Sequence, residues 1–211
     1  LSGRGLPCEL AGREAGGRLA AITLDPAANR IGELLDGYIG AYDKIADKPT
    51  AAEAESAVTS GVSIVSYTAQ DSEYDLRPVT THSQDTVGAP DYRLLDTQNV
   101  DATYIVARDI RDNLPLEFPN AKITPDIEPG DNPIPKGVIE ERDIKGWLIT
   151  RLRFWENEGV VNREALNAAI EDGTLIVQVN STDPTQVDMV IPIEIIQPLA
   201  KFGTVVQRVP S

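Results

Sequence analysis

One histidine, one cysteine and 33 acidic side chains bound the chemistry open to this sequence of 211 residues. His82 stands among Thr80, Thr81 and Ser83, which could make it a general base for a neighbouring hydroxyl. A base and a nucleophile adjacent in sequence seldom adopt triad geometry, so a solvent-facing histidine at a strand end is the default. Cys8, alone, excludes an internal disulfide and a cysteine-cluster zinc site, and a single histidine removes the two-histidine metal sites. Asp126, Glu128 and Asp131 offer oxygen ligands that could hold Ca²⁺ in a Pro/Gly-rich stretch. Their spacing is not that of an EF-hand and Pro129 stiffens the middle, so a solvated acidic loop is the default. Asp109, Asp112, Glu140, Glu141 and Asp143 fall on predicted helices, where paired carboxylates could do the acid–base work of glycoside hydrolysis. In an acidic chain such groups more often form the wet face of an amphipathic helix. Trp147 and Trp155 lie two turns apart on one predicted helix and suit core packing better than a sugar-stacking platform. No P-loop, dinucleotide-binding glycine fingerprint or HExxH motif occurs.

Charge narrows the partners further. Acidic residues outnumber basic ones 33 to 19, a net charge of −14, so phosphate backbones and anionic membrane surfaces are repelled. No apolar run reaches the length of a membrane span. Neither a cofactor nor a metal is expected, and a structural or interaction protein fits this inventory better than an enzyme.

The elements that must position these residues read as follows. Leu1–Leu24 is a Gly- and Arg-containing lead-in, and its start at Leu rather than Met reads as an internal fragment or a processed product. Residues 25–50 read as a linker or packed loop, with a boundary at Asp25-Pro26. Thr50-Ala51-Ala52-Glu53 fits a capping box, and Gly61 is the expected helix stop. Val62–Tyr67 and Asp75–Thr81 predict a hairpin, with Pro78 marking an edge or a bulge. From Asp96 a helix is predicted with Val100, Tyr104, Ala107, Ile110 and Leu114 as its apolar stripe, ended or kinked at Pro115 and closed by Pro119. Asn120–Pro135 reads as an irregular, proline-rich loop. Pro135 suits a first helical position, and Ile144, Leu148, Leu152 and Trp155 make one stripe that stops at Gly159. Asn162 caps a short helix ending near Gly173. Thr174–Asn180 and the run through Val187, Met189, Ile191 and Ile193 alternate as strands about an Asp183-Pro184 turn. Phe202–Val209 is a last strand candidate. Helices interleaved with hairpins, without a βαβ rhythm, predict an α+β fold: helices on a small mixed or antiparallel sheet of hairpins.

Several stretches, taken in order, resemble the C-terminal region of contractile bacteriophage tail sheath proteins of the Mu type. They are Asp25-Pro26-Ala27; Leu76-Arg77-Pro78-Val79-Thr80-Thr81; the loop with Gly88, Asp91 and Tyr92; Asp96; Tyr104-Ile105-Val106-Ala107-Arg108-Asp109-Ile110-Arg111; Phe118-Pro119; and Asn180, Asp183-Pro184, Val187-Asp188 and Pro192. The resemblance implies a domain layout: residues 1–24 as the remnant of an upstream subtilisin-like sheath domain, 25–50 as linker, and 51–211 as the inner, tube-facing sheath domain. It implies a non-enzymatic structural subunit, stacked in hexameric rings around a tail tube and bounded by baseplate and tail terminator proteins. Contraction of such a sheath drives the tube through the target envelope. The location implied is a virion tail assembled in the host bacterial cytoplasm; a prophage, a tailocin or another contractile injection system shares the same physics. Phe202, Thr204, Val205, Val206, Gln207, Arg208 and Val209 are expected to link subunits as an exchanged strand. Arg163, Glu164, Glu171 and Asp172 are expected on the tube-facing side. The isolated 211-residue chain is expected to be monomeric. The alternative from the residues alone is a carboxylate-using hydrolase or a calcium-dependent binding module.

Overall fold

The computed structural model describes residues 49–67, 73–127 and 135–197. The described residues divide into two compact units, one up to Asp101 together with Gln197, the other from Ala102 to Ile196.

In the first unit, helix α1 (Ala51–Thr59) begins as its sequence dictates. The Glu53 N–H donates to Thr50 Oγ1 at 3.3 Å, and the Thr50 N–H donates to Glu53 Oε2 at 2.8 Å. It ends in a Schellman arrangement: the Val62 N–H reaches the Ala57 carbonyl and the Gly61 N–H that of Val58. Gly61 takes φ +79°, and a Cβ there would lie 2.9 Å from both the Thr80 carbonyl oxygen and Thr81 Cα. Strands β1 (Ile64–Tyr67) and β2 (Glu73–Arg77) pair antiparallel, with an irregularity at Ile64/Val65. The second strand stops at Arg77 rather than running to Thr81, because Pro78 has no N–H to continue the ladder. Beyond it, the Val79 N–H turns to Ser63 Oγ at 3.0 Å, and Val79 bridges to Asp96. Val58, Val79 and Leu95 form the buried cluster, with Ile64 packed against them.

Helix α2 (Thr97–Glu117) corrects the predicted stripe. Its buried face is Asn99, Ala102, Val106 and Ile110, whereas Val100, Tyr104 and Ala107 of the predicted stripe are exposed. Of the two outcomes expected at Pro115, an end or a kink, the helix does not end there. Pro115 is exposed, only one turn remains after it, and the Phe118 N–H still bonds the Leu114 carbonyl at 3.2 Å.

The second unit holds a feature read as irregular loop. Strand β3 (Lys122–Thr124) pairs in parallel with β4 (Val138–Glu140). Pro135 therefore precedes a strand, and helix α3 (Glu141–Asn157) starts later than predicted. Its stripe is as the spacing demands: Ile144, Leu148, Leu152 and Trp155 are all buried, Leu148 and Leu152 completely. Helix α4 (Arg163–Glu171) is capped by Asn162 Oδ1, which accepts from the Glu164 and Ala165 N–H groups. Strands β5 (Ile176–Val179) and β6 (Val187–Val190) form an antiparallel hairpin. Helix α3 packs on β4 and β5. The fold is α+β: the described residues hold four helices and three separate two-stranded sheets.

Candidate functional site

The carboxylates singled out by sequence are built into joints between elements. Asp109 collects four donors on two oxygens. Arg151 approaches through Nε and Nη2, both at 2.5 Å; Trp155 Nε1 donates to Oδ2 at 2.9 Å and Asn113 Nδ2 to Oδ1 at 2.8 Å. Burial acts to raise the Asp109 pKa, but the hydrogen bonds from Arg151 and Trp155, with the Arg151 charge, outweigh it and hold the carboxyl below its ordinary value. The guanidinium of Arg151 also lies over the exposed Phe154 ring, 4.7 Å from its centroid. Trp155 is thus a core residue with its N–H satisfied, as its place on the stripe suggested.

At the start of α3 a second joint forms. Glu140 is fully buried, accepts from the Ile127 N–H at 2.8 Å and pairs with Arg142. Asp143 accepts from the Glu140 N–H, Asp126 from the Arg142 N–H, and Glu141 from the Val179 N–H at 2.6 Å. Glu140 is thus buried and Glu141 half-buried, neither on a wet helix face, whereas Asp143 is exposed and closes the capping box at the start of α3. Glu140 holds Ile127 and Glu141 holds Val179 against the helix start, where the macrodipole favours negative charge. Asp126 acts as a remote cap on α3; Glu128 and Asp131 lie outside the described residues. Asp112, paired with Arg108 and Arg111 on the surface, fits the solvated role, as does the exposed Asp143. Among the described residues, no group of three or more His, Cys, Asp or Glu side chains is arranged to hold a metal ion.

In the first unit, Arg77 forks onto Asp96 at 2.7 and 2.8 Å, tying β2 to the residue before α2. His82 is half-buried, and its Nε2 lies 3.2 Å from Asp91 Oδ2. Two Arg93 contacts come first in holding the Asp91 carboxyl far below its usual range, from the guanidinium and from the backbone N–H; His82 adds a third. Of the hydroxyls beside it in sequence, Thr80 Oγ1 donates to the Leu94 carbonyl at 2.6 Å and accepts the His82 backbone N–H. His82 thus belongs to a structural joint with Asp91.

Of the residues expected to face a tube, Arg163, Glu164, Glu171 and Asp172 are all exposed on or beside α4. Arg163 Nε reaches Glu156 Oε1 at 2.5 Å, and Glu156 also binds Arg153, which bonds Asn167. These arginines hold Glu156 below its ordinary value. Phe202, Thr204, Val205, Val206, Gln207, Arg208 and Val209, the expected linking strand, lie outside the described residues, as does Cys8. Sequence reasoning missed the Asp109–Arg151 joint. Its signal was present: each residue directly neighbours a stripe position, Ile110 and Leu152, and so stands at the rim of a buried face.

No family model matches this chain, and no curated protein matches it. Among solved structures, it is similar to a sheath tail protein from Listeria innocua, with a TM-score of 0.49 and 12% sequence identity over 74% of this chain. The match spans 32% of that protein. A likeness at this level assigns neither a family nor a function to the chain.

Proposed function

We propose that this chain is the C-terminal, inner part of a contractile tail sheath subunit, a structural protein that acts by assembly. One observation carries the reading: several of the residues that bear the family resemblance, Arg77, Thr80, Asp96, Asp109 and Asn180, are framework residues here. Arg77 grips Asp96, Thr80 holds the Leu94 carbonyl, and Asp109 gathers Arg151 and Trp155. Asn180 organises the last hairpin, accepting from the Thr182 and Asp183 N–H groups and donating to Asp188. A pattern composed of fold-holding residues suits a protein whose output is shape and movement, since a mechanical device needs rigid bodies and not a nucleophile. The same side chains are poor candidates for hydrolysis, because Asp109 is already saturated with donors.

In this reading, residues 1–24 are the remnant of an upstream sheath domain, 25–50 a linker, and 51–211 the inner domain. Subunits stack as hexameric rings around a tail tube, between baseplate and tail terminator, and contraction drives the tube into the target cell. The strand 202–209 is donated to a neighbour. Strands β5 and β6 pair only with each other among the described residues, which leaves edges of the kind that strand addition uses. The exposed Glu164, Glu171 and Asp172 meet the tube, and Arg163 reaches it only by leaving Glu156. Negative-stain microscopy of the full-length protein tests the reading. Rods or tubes are expected; persistent monomers with glycan turnover would overturn it.

A further inference from the structure

Helix α2 turns one face inward and leaves a second, cationic face in water. Asp109 points at Arg151 and Trp155 of α3. A helix turns about 100° per residue, so Arg111, two residues on, lies about 200° round the axis and faces away from α3. Arg108 and Tyr104 stand about one and two turns before it on the same outward side. All three side chains are exposed. Both guanidinium groups bind one carboxylate, and each does so through Nε: Arg108 to Asp112 Oδ2 at 3.3 Å, Arg111 to Oδ1 at 3.1 Å. Two cations on one anion leave a positive charge over, and the Nη edge of each fork is not taken by Asp112. Tyr and Arg are also the residue types that carry much of the binding energy at protein interfaces.

The opposite imbalance lies at the end of α3. A helix C-terminus is the negative end of the macrodipole and favours cations. Yet the last turn of α3 has no basic residue, and its C-cap is the exposed Glu158. The cations close by in sequence are committed, Arg153 to Glu156 and Asn167, and Arg163 to Glu156. Glu158 thus stands where a cation from outside gains most. The net charge of −14 opposes the approach of two copies at long range. The Debye length is about 8 Å at physiological salt, so at contact the groups that face each other decide. A surplus guanidinium on one face and an uncompensated carboxylate on another are complementary. They do not pair within one chain, because the α2 face points away from α3.

We propose that the Tyr104, Arg108 and Arg111 face of α2 docks on the C-terminal end of α3 in a second copy of this chain, with an arginine fork taking Glu158. This names a self-contact for the assembly proposed above and rests on that reading. The two surfaces differ, so the contact is heterologous and propagates into rings or helices.

The experiment uses the full-length protein in four variants: Arg108→Glu with Arg111→Glu, Glu158→Arg, all three changes together, and benzoylphenylalanine, a photoreactive residue, in place of Tyr104. Each of the first two should raise the concentration at which polymer forms by about tenfold or more. The combined variant restores opposite charges in exchanged places and should return it to within about threefold of wild type. Irradiation should give a chain-to-chain adduct whose cross-linked peptide contains Glu158. A merely structural role of the arginines would lower the thermal midpoint and would not be rescued by Glu158→Arg. Should the arginine reversal lose the fold, the adduct decides. Polymer unaffected by either reversal, loss without rescue in folded variants, or an adduct mapped away from the α3 end overturns the contact and leaves the assembly reading standing. Absence of wild-type polymer under all conditions overturns both.

Discussion

Replacing Asp109 by asparagine is the sharpest test of how the second unit is held together. The carboxylate accepts Arg151 Nη2 and Asn113 Nδ2 on one oxygen, and Arg151 Nε and Trp155 Nε1 on the other. Asparagine has one acceptor oxygen and an NH₂ group. Whichever way the amide turns, its NH₂ faces two donors, so two hydrogen bonds are lost and a donor–donor conflict is created. Hydrogen bonds to charged groups contribute about 1.5–3 kcal/mol each, and breaking a fully buried pair costs about 3–5 kcal/mol. Here the Arg151 side chain is 32% exposed and recovers water, while that of Asp109 is 12% exposed and does not. The expected loss is about 2–3 kcal/mol at pH 7, below the fully buried case. Urea unfolding followed by tryptophan fluorescence measures it, and a cycle with Arg151→Ala should give a coupling above about 1 kcal/mol. The pH dependence has a definite sign. The folded Asp109 pKa is lowered, so its contribution is complete above the unfolded carboxylate value, near ~3.9, and fades as pH falls through the folded pKa. The wild-type advantage over Asp109→Asn should therefore shrink below about pH 4. A coupling under about 0.5 kcal/mol, or an advantage unchanged from neutral pH to pH 2, would refute the joint.

Leu148→Ala empties a fully buried position on α3 and should cost about 2–5 kcal/mol, read by the same unfolding assay. The glycines Gly61 and Gly146 should respond oppositely to alanine. Gly61→Ala meets backbone at 2.9 Å with φ +79° and should lose more than about 1 kcal/mol, whereas Gly146 is helical with open space at its Cβ and should gain about 0.5–1 kcal/mol. Deleting 202–211 from the full-length protein should abolish polymer while leaving a folded domain by circular dichroism; tubes from the deletion variant would remove the linking role. Reversing the charges of Arg163 and Glu171 together should weaken tube binding in a salt-sensitive manner, and unchanged co-sedimentation with tube would remove α4 from that contact.

Elements whose signals are local were legible from residue spacing alone. Thr50 and Glu53 are three residues apart, Asn162 reaches the next turn, and Gly61, Gly159 and Gly173 stop their helices through positive φ. The stripe Ile144, Leu148, Leu152 and Trp155 needed no tertiary information, because no competing apolar face exists on that helix at comparable spacing. Tertiary structure decided what local spacing leaves degenerate. Helix α2 carries two candidate stripes, and the one with Ala102, Val106 and Ile110 went inward. That rotation sets Asp109 beside Arg151 and Trp155, a preference written 42 and 46 residues away. The pair β3–β4 joins Lys122 to Val138 in parallel, and strands of three residues have no period to read. Glu140 ends β4, and its carboxylate finds its partners only once Ile127, Arg142 and the start of α3 are brought to it. A charged side chain looks the same in sequence whether it faces water or closes a joint, since the difference lies in donors contributed by distant parts of the chain.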